Sequence, residues 1–128
     1  MNRTAAVSGP LFCAFAIVLG AFGSHALSDL LTPDRLQTWQ TAARYLMFQG
    51  LGLLTVAGLT HALNLQMKRA VALLITGTLM FSFSLIAVVL TNISTLGAIT
   101  PLGGLLMIWG WIDISYRLYK FTQSEIQK

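Results

Sequence analysis

At 128 residues the chain has room for one domain, and its 55% apolar and 9% charged residues set it far from the roughly 25% charged of soluble domains. The net charge of +4 comes from eight dispersed Lys and Arg residues, which excludes the clustered basic patch of a nucleic-acid binder. A single cysteine, Cys13, excludes an internal disulfide.

The first apolar stretch, about Thr4 to Leu27, is long enough for one membrane crossing at roughly 20 residues per span. Within it Gly9, Cys13, Ala16, Gly20 and Ser24 recur every three or four residues, which predicts a small-residue stripe where a neighbouring helix comes close. Residues 1–26 have the outline of a signal peptide, but their apolar run exceeds the roughly 7–15 residues of such a segment, so retention as a span is expected.

Thr32-Pro33-Asp34 reads as a helix start: a capping hydroxyl, a proline at the first helical position and an acid at the positive end of the dipole. Leu36, Trp39, Ala43, Leu46 and Met47 follow at helical spacing, with polar residues on other faces. This predicts a short amphipathic interfacial helix at about 33–44, anchored by Trp39 and Tyr45, leading into a second span at about 45–63. If the two are continuous, the helix is about 46 Å long and needs a strong tilt, or a bend near Gly50 and Gly52.

From Ala70 to Ile112 the chain runs 43 residues without Asp, Glu, Lys or Arg, enough for two spans. Thr91 to Gly97, rich in hydroxyl, amide and glycine, divides them into spans at about 70–90 and 100–116. Thr100-Pro101 repeats the start signal, and Asp113 lies four residues before Arg117, on one helical face. The expected fold is an all-α membrane protein: one domain, 1–128, forming a four-transmembrane-helix bundle with an interfacial helix after the first span. Arg3, Lys68, Arg69, Arg117, Lys120 and Lys128 fall on one side of it and Arg35 and Arg44 on the other, so the positive-inside bias predicts cytoplasmic termini.

Leu19-Gly20-Ala21-Phe22-Gly23-Ser24-His25-Ala26-Leu27 opens a series of motifs that continues with Trp39, Ala42 and Tyr45. Phe81-Ser82 with Ser84-Leu85, Ile99-Thr100-Pro101-Leu102-Gly103-Gly104 and Gly110-Trp111 complete it. In combination and order the series resembles the YgdD/YwdK family of small bacterial membrane proteins, domain of unknown function 423. The resemblance covers nearly the whole chain and implies a four-helix protein of the bacterial cytoplasmic (inner) membrane without an established activity. Relative to that family, Gln49 stands where a histidine is common, Phe83 where glycine is, and Ile86 where tyrosine is. The first departure weakens any two-histidine site, since glutamine does not titrate and is a poor metal ligand.

An ionisable residue at membrane depth is a functional candidate, and His25 is the first to consider. Its alternative role is structural, bonding the end of its own helix, Gln49 or the corner at Thr100 to Gly104. Antiparallel spans would bring Gln49, Ser82, Ser84 and Thr100 toward the same half of the bundle as His25. They would act there as a small polar cluster or as hydrogen-bonding glue between helices. Thr100 to Gly104 also offers helix amides to an anion or lipid headgroup, with Gly103 and Gly104 allowing close approach; the alternative is a tight packing corner. The sequence lacks the paired acids, His/Asp cluster or nucleophile beside a base of a membrane enzyme, and no catalytic, cofactor or metal site is expected. The expected partners are the bilayer, a membrane protein or a second copy, without nucleic acid. A transporter or channel working as an oligomer is the rival reading.

Overall fold

The computed structural model describes residues 1–127. Its main elements are α1 (Arg3–His25), α2 (Pro33–Ala62), α3 (Lys68–Thr91) and α4 (Thr100–Ile126), with a short 3-10 helix, Ser94–Ile99, before the last. All four helices are long and apolar enough to cross a membrane. At the start of α1 the Asn2 side chain accepts from the Ala5 amide at 3.1 Å. α3 stops at Asn92, in the left-handed conformation with φ of 58°, which asparagine tolerates better than most residues.

The helices pack in chain order. α1 lies on α2, α2 on α3, and α3 on α4; α1 makes slight contact with α3, and the backbones of α2 and α4 stay apart among the described residues. Each terminal pair closes on glycines. A Cβ on Gly9 would sit 2.8 Å from the Gly50 carbonyl oxygen, and one on Gly50 would sit 2.8 Å from that of Gly9. On the other side of the molecule a Cβ on Gly77 would meet the Gly103 oxygen at 2.8 Å, and one on Gly103 the Gly77 oxygen at 2.7 Å. Where lipid supplies no hydrophobic drive between helices, such backbone approach gains dispersion contacts over the whole seam.

Three expectations need correction. The segment at 33–44 is not a separate interfacial helix: α2 runs unbroken for 30 residues, about 45 Å, and buries Trp39, Ala42 and Ala43 against its neighbours. Nothing between Pro33 and Ala62 ends the helix, because Gly50 and Gly52 serve as close-approach positions for Cys13 and for the Trp111 ring. The stripe on α1 is also displaced. Its buried face runs through Ala5, Gly9, Phe12, Ala16 and Gly23, while Gly20 faces open space and Ser24 is exposed. The fourth helix continues ten residues past Tyr116 to Ile126. Two residues of the extension reach back to the span: Arg117 pairs with Asp113 at 2.8 Å, and Lys120 lies over the Tyr116 ring at 5.2 Å. Pro33 and Pro101 open helices as expected, although neither Thr32 nor Thr100 caps its helix through the side chain.

Candidate functional site

The polar side chains Gln49, Ser82 and Ser84 with Thr100 form ties between pairs of helices, and a buried tryptophan, Trp39, forms another. Trp39 is 6% exposed, and its Nε1 donates to the Leu19 carbonyl at 2.7 Å. Its ring occupies the space left by Gly23, where a Cβ would stand 2.9 Å from Cδ1. Ser82 Oγ donates to the Ala42 carbonyl at 3.1 Å, joining α3 to α2. Ser84 and Thr100 share a hydroxyl–hydroxyl bond of 2.6 Å between α3 and α4, and Ser84 also donates to the Phe81 carbonyl. In hydrocarbon such groups need partners, and each bond contributes on the order of 0.6 kcal/mol.

Gln49 takes the longest reach. Trp111 Nε1 donates to its Oε1 at 3.2 Å across the gap between α4 and α2, and the indole covers Gly52. Beside this tie opens a lateral groove of about 480 Å³, with Tyr45 and Gln49 from α2, Phe81 from α3, and Gly104, Met107, Ile108 and Trp111 from α4 on its walls. Tyr45 and Phe81 stack as a tilted pair with centroids 4.4 Å apart. The groove is apolar apart from the Gln49 amide, the Ser115 hydroxyl and the polar edges of Tyr45 and Trp111.

His25 does not join this set. It is the last residue of α1, exposed, and without a hydrogen bond to Gln49 or to the corner at Thr100. Gly103 is closed off by α3, where a Cβ would lie 2.5 Å from the Phe81 amide nitrogen, so this corner is packed against protein. Gly104 lines the groove instead. Among the described residues no three His, Cys, Asp or Glu side chains converge as metal ligands.

The sequence reading missed Arg35. Its Nη2 donates to the Val89 carbonyl in the last turn of α3, where main-chain carbonyls lack helical partners and a cation meets the negative end of the dipole. Its Nε is buried without a partner. A basic residue on the side that the positive-inside bias leaves poor in charge was the available signal.

Four apolar helices tied by buried polar side chains, with a groove open to the side, define a small multi-span helical membrane protein. The chain belongs to the DUF423 family of proteins of unknown function, which matches residues 19–104. That stretch begins at Leu19, the acceptor for Trp39, and ends at Gly104 in the groove wall. UPF0382 membrane proteins of Staphylococcus haemolyticus and Staphylococcus epidermidis are 37% and 38% identical to the chain over 116 residues, 91% of this chain and 95% of each relative. No solved structure matches it.

Proposed function

We propose that the protein is non-enzymatic and acts by packing against a partner protein or lipid in the bacterial cytoplasmic membrane, with both termini in the cytoplasm. The carrying observation is the α2–α4 groove: apolar walls at membrane depth, open sideways, between two helices linked mainly through Trp111. Supporting it, the candidate polar residues Gln49, Ser82, Ser84 and Thr100 already bond to other groups of the chain, which leaves them poorly suited to relay an ion or solute. The apolar faces of α1 and α4, including Val7, Leu11, Phe15, Leu105, Ile108 and Trp109, are exposed and suited to lipid or helix contact. Orientation rests on the excess of Lys and Arg at the end bearing the termini.

A photo-crosslinking residue at Ile108, at the groove wall, tests this in native membranes. Discrete adducts to a protein or lipid are expected there and should fall when Gly104→Trp fills the groove. Labelling of cysteines at 49, 84 and 107 by a membrane-impermeant thiol reagent would reveal an aqueous path and replace this reading with transport. Cysteines at 66 and 123 should be protected from outside in intact cells; labelling only from outside would reverse the orientation.

A further inference from the structure

At the end of the bundle bearing the chain termini lies a second cavity of about 490 Å³, between the start of α1, the end of α2 and the start of α3. Two hydrogen bonds brace its backbone, while the side chains of Arg3, Asn64, Gln66 and Lys68 are exposed. The Asn2 amide donates to Thr60 Oγ1 at 3.1 Å, tying α1 to α2, and Arg117 Nη1 donates to the Gln66 carbonyl at 2.9 Å, holding the α2–α3 connection against α4. Arg117 is itself held by Asp113.

The charge in the cavity is one-sided. Arg3 and Lys68 line it together with Asn64 and Gln66, and among the described residues no carboxylate does. Among the described residues neither Arg3 nor Lys68 makes an ion pair, and the side chains of Asn64 and Gln66 make no hydrogen bond. Two cations without counter-charges, beside free amide donors, form a ready receptor for an oxyanion. Ala72 on α3 and Leu65 before it add apolar surface to the same wall. A site polar at the helix ends and apolar toward the bilayer has the polarity profile of a phospholipid.

We propose that this cavity binds a phosphate group, that of an acidic phospholipid headgroup, with Arg3 and Lys68 as its charge partners and Asn64 and Gln66 as hydrogen-bond donors. The inference stands apart from the lateral groove, which shares no lining residue with this cavity. Basic pockets between transmembrane helices are suited to such headgroups, and anionic lipid gains from each nearby Lys or Arg.

The test is native mass spectrometry of the purified full chain with phosphatidylglycerol, phosphatidylcholine and inorganic phosphate offered separately. Wild type should retain phosphatidylglycerol over phosphatidylcholine, and Arg3→Gln with Lys68→Gln should weaken that retention by roughly tenfold or more. Arg44→Gln with Lys120→Gln removes the same charge away from the cavity and should leave retention intact. Ala72→Phe keeps every charge but fills the wall, and should also lower it. Retention of inorganic phosphate alone, lost in the Arg3/Lys68 variant, would keep the phosphate site and reassign its source to solution. Equal retention of both lipids, or equal losses in the two charge-removal variants, would overturn the site, and adducts at Ile108 in the groove would be unaffected by that outcome.

Discussion

Trp111 and Gln49 are hydrogen bonded at 3.2 Å across two helices whose backbones do not meet. The pair holds α4 toward α2 at a point where neither main chain can do so, and both residues line the lateral groove.

Replacing Gln49 by Leu, or Trp111 by Phe, should therefore each cost stability, and the double variant should cost less than the sum. The expected coupling is about 0.6 kcal/mol, the typical value for a polar tie between transmembrane helices. Unfolding by graded denaturing detergent measures it. Additive losses would show that the bond contributes nothing beyond the two side chains' packing. Gln49→His should retain most of the coupling, because an imidazole nitrogen accepts as the amide oxygen does.

Gly23 and Gly20 are three residues apart and should behave in opposite ways. A Cβ at Gly23 collides with the Trp39 ring at 2.9 Å, whereas one at Gly20 meets no atom within 4 Å. Gly23→Leu should destabilise by about 1–3 kcal/mol through overpacking, while Gly20→Leu stays near wild type. Thermal unfolding in mild detergent separates them, and equal midpoints would contradict the observed face of α1.

Trp39 both fills a slot and donates a bond. Trp39→Phe keeps a ring against Gly23 and leaves the Leu19 carbonyl without the indole, a loss of about 0.6 kcal/mol. Trp39→Ala empties the slot and should cost about 3–5 kcal/mol. Comparable losses in the two variants would mean that the hydrogen bond, not the ring, holds α1 to α2.

Apolar runs and their interruptions made the four spans legible, since the cost of unbonded backbone in lipid leaves helices as the economical solution for such runs. Pro33 and Pro101 marked two helix starts for the same local reason. The segment at 33–44 was misread because a 3.6-residue periodicity identifies a face without saying what it meets: Trp39 suits an interfacial anchor as well as a helix–helix slot. The end of α4 was hidden because hydropathy stops at the membrane boundary while helical backbone does not. Depth along the spans sufficed to bring Ser84 to Thr100. It could not foresee that His25 would be exposed, that Ser82 would select the Ala42 carbonyl, or that Arg35 would reach Val89, because these depend on rotation about helix axes.

The glycine contacts bear on biogenesis. Gly9 with Gly50 and Gly77 with Gly103 join helices adjacent in the chain, so each tight seam closes after one short connection. Contacts of this local kind form early and need little loop closure. The first hairpin is complete in sequence before α3 has been synthesised, and the second can dock onto it as a finished unit. Assembly then reduces to a single late event, the meeting of α2 and α3, at which Ser82 finds Ala42 and Arg35 finds Val89.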